Sequence, residues 1–372
     1  MSTAAWFTLK CLLCILKVGS NLQQLLYFVH GGARAYRQEL KFSLLSAMHW
    51  LKDRNDVAIR IITDRPGDYQ GWPVELLPIE SDQLNAWRGT YGYVHRAKAC
   101  AIASAMPLAE RTLFLDSDTV VCRDPRILFK SLDATHAVLD EREWTWGEVR
   151  HKSIFEAFAM DLNRQGAEPD DGCWLYNSGI CGLHAVHQRR VERAIALIDT
   201  WHNHAVRIHT LEQIALSFSL EDICITEGRG IIHHYYAEKK FMHLRLAHFF
   251  ERYGEAFTPA LLQHWQEVPL RKPVPSVWHR LHIKWLIRKL KGPQARAARK
   301  LLYGCLVPKD SYSGVCSEVW WDSALNDLDG CPEESMLAKG VWPDSIPRCH
   351  RTAQVDVAMQ YIRAKMSKRP NA

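Results

Sequence analysis

Asp116 and Asp118 stand one residue apart in the stretch Arg111-Thr-Leu-Phe-Leu-Asp-Ser-Asp-Thr-Val-Val-Cys122. Thr112 to Leu115 form a short apolar, β-prone run that reads as a buried strand. The carboxylates follow at its C-terminal end, the edge of an α/β sheet where ligands bind. Two acids so placed repel each other and lose hydration unless a cation neutralises them. Hard oxygen ligands suit Mg²⁺ or Mn²⁺, ions that commonly bridge phosphates. The competing structural explanation is an Asp-rich turn that caps the next element.

Strand and helix signals surround this pair. Leu25–Val29 reads as a strand, His30-Gly31-Gly32 as its turn, and Leu40, Leu44, Leu45, Met48 and Leu51 as one helix face. Val57–Thr63 and the weaker Val74–Ile79 read as further strands, and Val94 to Ala105 as a helix that carries Arg96 and Lys98. His136–Asp140 is a strand that ends on a carboxylate. Trp174 to Leu183 reads as a strand interrupted by Asn177, Ser178 and Gly179, where an interior glycine marks a bulge or a close backbone approach. Val186 to His202 reads as a helix, and Thr210 with Gln213 as a capping box. Ile231–Phe241 contains the pair His233-His234, a possible imidazole donor to a metal. The alternation of strand and helix predicts a doubly wound α/β domain. No G-x-G-x-x-G follows the first strand, which argues against a dinucleotide fold.

The order of these segments resembles a family 8 retaining glycosyltransferase of the GT-A fold. Leu113-Phe-Leu-Asp-Ser-Asp118 resembles the family's Asp-x-Asp strand, and Ala137-Val-Leu-Asp140 its strand ending on an Asp that stands behind the metal ligands. Tyr176-Asn-Ser-Gly-Ile180 is similar to its Phe-Asn-Ser-Gly segment, Glu212-Gln213 to its Asp-Gln pair, and His234-Tyr-Tyr-Ala-Glu-Lys-Lys240 to its His-x-x-Gly-x-x-Lys segment. The pattern runs from about Leu25 to Phe250. It departs from the family at Ala237, at Glu212, after Lys240 where Pro-Trp is missing, and at His30-Gly31-Gly32, where the family has an acidic residue that reads uridine. Tyr36 matches the aromatic position that follows.

The resemblance implies a Rossmann-like GT-A fold, a mixed and mainly parallel sheet flanked by helices. It implies a metal-dependent hexosyltransferase that uses a nucleotide-diphosphate sugar, UDP-hexose above all, and a glycan or lipid-linked acceptor, with retention. Asp118 and His234 would hold Mn²⁺ or Mg²⁺, with Asp116 assisting and contacting the ribose. Lys240, Arg96 and Lys98 would meet the phosphates or sugar. Asp140 and Asn177 would bond donor-sugar hydroxyls, and Gln213 would lie beside the anomeric carbon. Two rivals remain: a haloacid dehalogenase-like phosphatase with Asp116 as nucleophile, and a non-catalytic nucleotide- or glycan-binding relative. In Asp116-Ser-Asp-Thr119 the threonine comes one position early for the phosphatase motif.

The chain has 372 residues, 47% apolar and 24% charged, with a net charge of +6. That length suits a catalytic domain at 25–258, an N-terminal helical segment at 1–24 and a basic, mainly helical extension at 259–372. Eleven scattered cysteines and no Asn-x-Ser/Thr sequon point to a reducing, cytoplasmic setting. Ala5 to Val18 is too short and too charged for a membrane span. From Val268 to Lys309 there are eleven Lys or Arg and no acid, so without that stretch the charge of +6 becomes −5. Arg280, Lys284, Arg288 and Lys291 recur at helical spacing beside Trp278, Leu281, Trp285, Leu286 and Leu290. Residues 271–300 thus fit an anionic membrane surface, with peripheral attachment; the alternative is a solvated helix packed on the protein. No nucleic-acid motif accompanies the charge.

Overall fold

The computed structural model describes residues 23–52, 56–308, 310–328 and 353–366. The expected N-terminal segment therefore lies almost wholly outside the described residues. The described chain forms two compact units, Met1–His234 with Ala256–Trp265 and Tyr235–Glu255 with Gln266–Ala372.

The first unit is built on a seven-stranded sheet. Its strands are β1 (Gln23–Val29), β2 (Val57–Thr63), β3 (Glu75–Pro78), β4 (Arg111–Leu115), β6 (His136–Leu139), β9 (Ile180–His184) and β10 (Cys224–Glu227), in the order β10-β6-β9-β4-β1-β2-β3. Neighbours β1–β2, β1–β4, β2–β3 and β6–β10 are parallel. Only β9 runs antiparallel, between β4 and β6. This is the expected mixed, mainly parallel sheet flanked by helices. Its centre is apolar because β1 and β4 are covered on both faces: Leu25, Leu26, Tyr27, Leu113, Phe114 and Leu115 are all buried. One polar connection crosses the edge of that core. Gln24 donates to the Ala105 carbonyl and Thr112 hydroxyl, and accepts from Arg60, whose Nε meets Glu75 at 2.7 Å.

Two short ribbons leave the main sheet. β5 (Thr119–Val121) pairs antiparallel with β11 (Ile232–His234), and β7 (Arg142–Thr145) with β8 (Trp174–Tyr176). Trp174 to Leu183 is thus not one bulged strand. It is two strands in different sheets, β8 and β9, parted at Asn177-Ser178-Gly179, because Tyr176 pairs with Arg142 while Ile180 pairs with Leu115. The Thr210 capping box is also absent. Thr210 has non-extended backbone angles and its side chain caps nothing. The Glu212 N–H, left over at that helix start, donates instead to the Tyr93 hydroxyl, which itself donates to the His209 carbonyl.

The second unit is helical. Helices Gly292–Cys305, Ser317–Asp327 and Ala353–Met366 bury Ala297, Leu301, Trp321, Ala324, Val355 and Ile362 together. The basic helix spans Val277–Leu286 and ends there, with Ile287 as its C-cap. Arg280 and Lys284 lie on it; Arg288 and Lys291 follow its end, so the helical stripe expected over all four covers only two.

Candidate metal and donor site

β4 delivers Asp116 to the C-terminal edge of the sheet, and the chain turns at once. The Asp116 N–H donates to the Gly179 carbonyl at 2.8 Å, and the Thr119 hydroxyl donates to the Asp116 carbonyl at 2.8 Å. The turn ends in β5, whose Thr119 lies opposite His234 of β11. That register brings an imidazole from far along the chain beside the acidic pair. Asp116, Asp118 and His234 each offer a ligand atom, and these atoms lie within 4.8 Å of one another. Asp118 and His234 are buried, with His234 Nε2 at 3.5 Å from Asp118 Oδ2.

On the other side of the ring, His234 Nδ1 meets Asp140 Oδ2 at 2.6 Å. A carboxylate that holds one imidazole nitrogen fixes which way the other points. Here it presents Nε2 to Asp118. The two carboxylates suit Mn²⁺ or Mg²⁺, while an imidazole is a donor that a transition ion such as Mn²⁺ accepts more readily than Mg²⁺. Burial by itself would lower the His234 pKa, but the Asp118 and Asp140 carboxylates outweigh it and raise the value to about 9. The Asp118 and Asp140 carboxylates thus favour the cationic form of the imidazole. The structure seats this ring against backbone: a Cβ at Gly179 would come within 2.1 Å of its Cε1 and 2.3 Å of its Nδ1. The interior glycine, read as a bulge or an approach to a ligand, here makes room for the His234 side chain.

A second cation stands on the opposite side of Asp116. Lys98 Nζ donates to Asp116 Oδ2 at 3.0 Å and to the Ser178 carbonyl and hydroxyl at 2.9 and 3.0 Å. Ser178 Oγ in turn donates to Glu212 Oε2 at 3.0 Å. Lys98, Ser178 and Glu212 are all buried. Burial opposes the charge on Lys98, yet Asp116 and Glu212 raise its pKa. Burial raises that of Glu212, against the pull of Lys98. Ser178 and Glu212 had no assigned role in the sequence reading. Their one signal was position, inside the Asn-Ser-Gly and Glu-Gln segments.

The remaining candidates are distributed more widely. Asn177 is buried, accepts from the Gly179 N–H at 2.9 Å and donates to Glu143 Oε1 at 3.2 Å. Its carbonyl accepts from the Asp140 N–H, which ties it to the same cluster. Gln213 is half-buried on the helix Leu211–Ser219, next to Glu212. Arg96 is held by the Asp199 carboxylate through Nε and Nη2, at 2.5 and 2.8 Å, and by the Ala86 and Trp87 carbonyls. Lys240 is the second residue of the helix Lys239–Tyr253 in the second unit. At the end of β1, the Gly31 N–H donates to Asp64 with φ at +76°, and His30 Nδ1 lies 3.2 Å from Arg88 Nη2.

Residues 67–221 match the family model of the Rhodobacterales glycosyltransferase domain. The chain carries a glycosyltransferase domain. The match lies within the first unit and contains Asp116, Asp118, Asp140, Asn177 and Gln213. It decides for transferase over phosphatase, and for an enzyme. Similar solved structures include the galactosyltransferase LgtC in complex with donor and acceptor sugar analogues, at 10% identity and TM-score 0.37, over 56% of this chain and 74% of that one. Mouse xyloside xylosyltransferase 1 is 13% identical at TM-score 0.37, over 58% and 91%. GlyE of Streptococcus pneumoniae TIGR4 is 13% identical at TM-score 0.35, over 85% and 64%. Likenesses this distant assign no role to any residue. No curated protein matches the chain in sequence.

Two stability predictions follow from the packing. Gly179→Ala forces the His234 ring or the β8–β9 turn to move, and overpacking of this kind costs about 1–3 kcal/mol. Its thermal midpoint should fall by several degrees, whereas Gly230→Ala, with open space at its Cβ, should melt like wild type. Equal melting of the two variants would contradict the close approach. Lys98→Met leaves Asp116 and Glu212 without their shared cation. Removing one partner of a buried charge group costs about 3–5 kcal/mol. Adding Glu212→Gln should restore part of that loss in urea unfolding; strictly additive losses would mean the two residues do not interact.

Proposed function

We propose that the chain transfers a hexose from a nucleoside-diphosphate sugar, UDP-hexose in the first instance, to a glycan or lipid-linked acceptor, with Asp116, Asp118 and His234 holding Mn²⁺ or Mg²⁺. The observation that carries this reading is the convergence of these three side chains on a glycosyltransferase domain. A bound divalent ion supplies Lewis-acid stabilisation of the leaving diphosphate.

The chain's own residues do the rest. Asp140 orients His234 and Lys98 bonds Asp116; in this reading Asp116 would assist the metal and contact the ribose. Arg96 reaches a nucleotide only by leaving Asp199, and Lys98, whose three protons go to Asp116 and Ser178, acts through Asp116. Asn177 binds a hydroxyl of the transferred sugar. In the retaining reaction the anomeric carbon–oxygen bond to diphosphate breaks. The acceptor oxygen bonds to the same face, and its proton passes to the departing phosphate oxygen. The Gln213 amide steadies positive charge at the anomeric carbon and is too weak a nucleophile to trap it.

The second unit supplies a membrane contact in this reading. Among the described residues no helix is long and apolar enough to cross a membrane. The helix Val277–Leu286 instead leaves Trp278 80% and Trp285 57% exposed. A cavity of about 370 Å³ beside it is lined by Arg280, Lys284, Arg299 and Tyr303. Exposed indoles next to basic groups suit an anionic interface on the cytoplasmic side.

Asp118→Asn should lower transfer by on the order of 100-fold, since an amide does not offset the ion's charge. EDTA should do the same to wild type. His234→Ala should weaken Mn²⁺ binding while His233→Ala should not. Nucleoside-diphosphate release from a panel of sugar nucleotides reads all of these, and full turnover in EDTA ends the metal-dependent reading. Replacing Arg280, Lys284, Arg288 and Lys291 with Gln should release the protein from anionic vesicles. Each basic residue near such a surface is worth about 1 kcal/mol, and raised salt should mimic the loss. Persistent sedimentation of the variant with vesicles would refute membrane attachment.

A further inference from the structure

The acid-free stretch Val268–Lys309 holds eleven Lys or Arg, and the helical unit treats them unequally. Arg296 and Lys300 face Asp327, at 3.9 and 2.7 Å. Lys272 Nζ lies 5.2 Å from the Phe241 ring centroid and 4.6 Å from that of Trp320. Arg288 donates to the Trp285 carbonyl at 2.7 Å and lies over its indole. Arg280, Lys284 and Arg299 have no such partner: among the described residues, their side chains make no hydrogen bond, ion pair or ring contact. All three are exposed, and all three line the cavity of about 370 Å³ beside the helix Val277–Leu286.

Two helices build that cavity. Ile283 of the first is buried and packs with Leu302 of Gly292–Cys305, which seats one helix on the other. Arg280 and Lys284 are four residues apart and share one helix face. Arg299 and Tyr303, at the same spacing, line the cavity from the second helix. Going round the first helix from Ile283, at about 3.6 residues per turn, come Arg280 and Lys284, then Val277 and Leu281, then the exposed indoles Trp278 and Trp285. The cations therefore lie between a buried apolar seam and the indoles. Three like charges around one cavity repel, and an anion that enters relieves every pair. Two guanidinium forks and an ammonium match the oxygens of a phosphate. A phosphomonoester carries a charge of about −1.5 to −2 near neutral pH, more than a phosphodiester, and so balances this set better. Ligand sites run from about 300 to 1,000 Å³, and this one is larger than a bare phosphate fills. Val277 and Leu281 supply apolar surface for what the phosphate carries, and the exposed indoles suit the headgroup layer of a membrane.

We propose that the cavity between Arg280, Lys284 and Arg299 binds the phosphomonoester headgroup of an anionic lipid, and so gives the membrane contact a headgroup preference. This rests on the proposed membrane attachment for the source of the phosphate. The test sediments the full chain with phosphatidylcholine vesicles that contain either phosphatidic acid or phosphatidylglycerol, matched in surface charge. Wild type should bind the phosphatidic acid vesicles about tenfold more tightly, since only the monoester offers a second charge and a third terminal oxygen to the cavity. Arg299→Gln should bring the ratio of the two affinities close to one. Arg288→Gln removes the same charge outside the cavity, so it should weaken both bindings alike and keep the ratio. Arg299→Lys should retain part of the preference. Arg299 is a surface group, so circular dichroism and the thermal midpoint of its variants should stay near wild type and exclude unfolding as the cause. Equal binding of the two vesicles by wild type, or an unchanged ratio in Arg299→Gln, overturns the proposal and leaves general attachment to anionic membranes standing. Sedimentation with neither vesicle ends the membrane reading, and the lipid headgroup falls with it. Inorganic phosphate bound through Arg299 in that case, read by phosphorus NMR, would assign the cavity to a soluble phosphate instead.

Discussion

Four carboxylates crowd the C-terminal edge of the central sheet, and they stay together only because two cations are interleaved among them. His234 lies between Asp118 and Asp140, and Lys98 lies between Asp116 and the Ser178–Glu212 pair. Charges this close repel by several kcal/mol at the effective dielectric of a protein. The arrangement is therefore stable with the imidazole protonated and the ammonium buried.

The backbone serves that charge balance. Gly179 gives up a side chain so that the His234 ring fits against β9. β5 is three residues long, enough to pair with β11 and present His234. Tyr93 satisfies the start of the helix that carries Glu212, so no capping side chain is spent there. The apolar strands β1 and β4 make a rigid floor, and polar groups enter only where the strands end. This is the usual division of labour in an α/β sheet, with stability in the layer and chemistry at its edge. The domain match contains Tyr93, Lys98, Asp116, Asp118, Asp140, Gly179 and Glu212, whereas His234 lies beyond its end. The pairings above explain how such a domain tolerates so much acid in one place.

Much of this was readable from residues alone. The strands Val57–Thr63 and His136–Leu139 and the helix Val94–Ala105 follow from periodicity, because each element has one apolar face or one apolar run and a clear boundary. The acidic pair after a buried strand, the glycine that had to mark a close approach, and His234 as the metal-facing imidazole candidate were also visible. These signals are local: they depend on side-chain type and on spacing within a few residues.

What the sequence did not contain was the partner of each group. Reading Trp174 to Leu183 as one strand followed from its apolar run, but long-range pairing assigned its halves to different sheets. Thr210 and Gln213 had capping-box spacing, yet the approach of Tyr93, more than a hundred residues earlier, satisfied the helix instead. Asp140 has the same side chain whether it binds a sugar or orients a histidine, and only the β5–β11 register put it 2.6 Å from His234. Glu212 carried no mark of burial, and the fold alone set it behind Ser178 and Lys98. The sequence by itself determined which residues could carry charge, metal or apolar surface. The tertiary structure decided which of them meet, because hydrogen bonds and ion pairs act over about 3 Å and separation along the chain does not limit them.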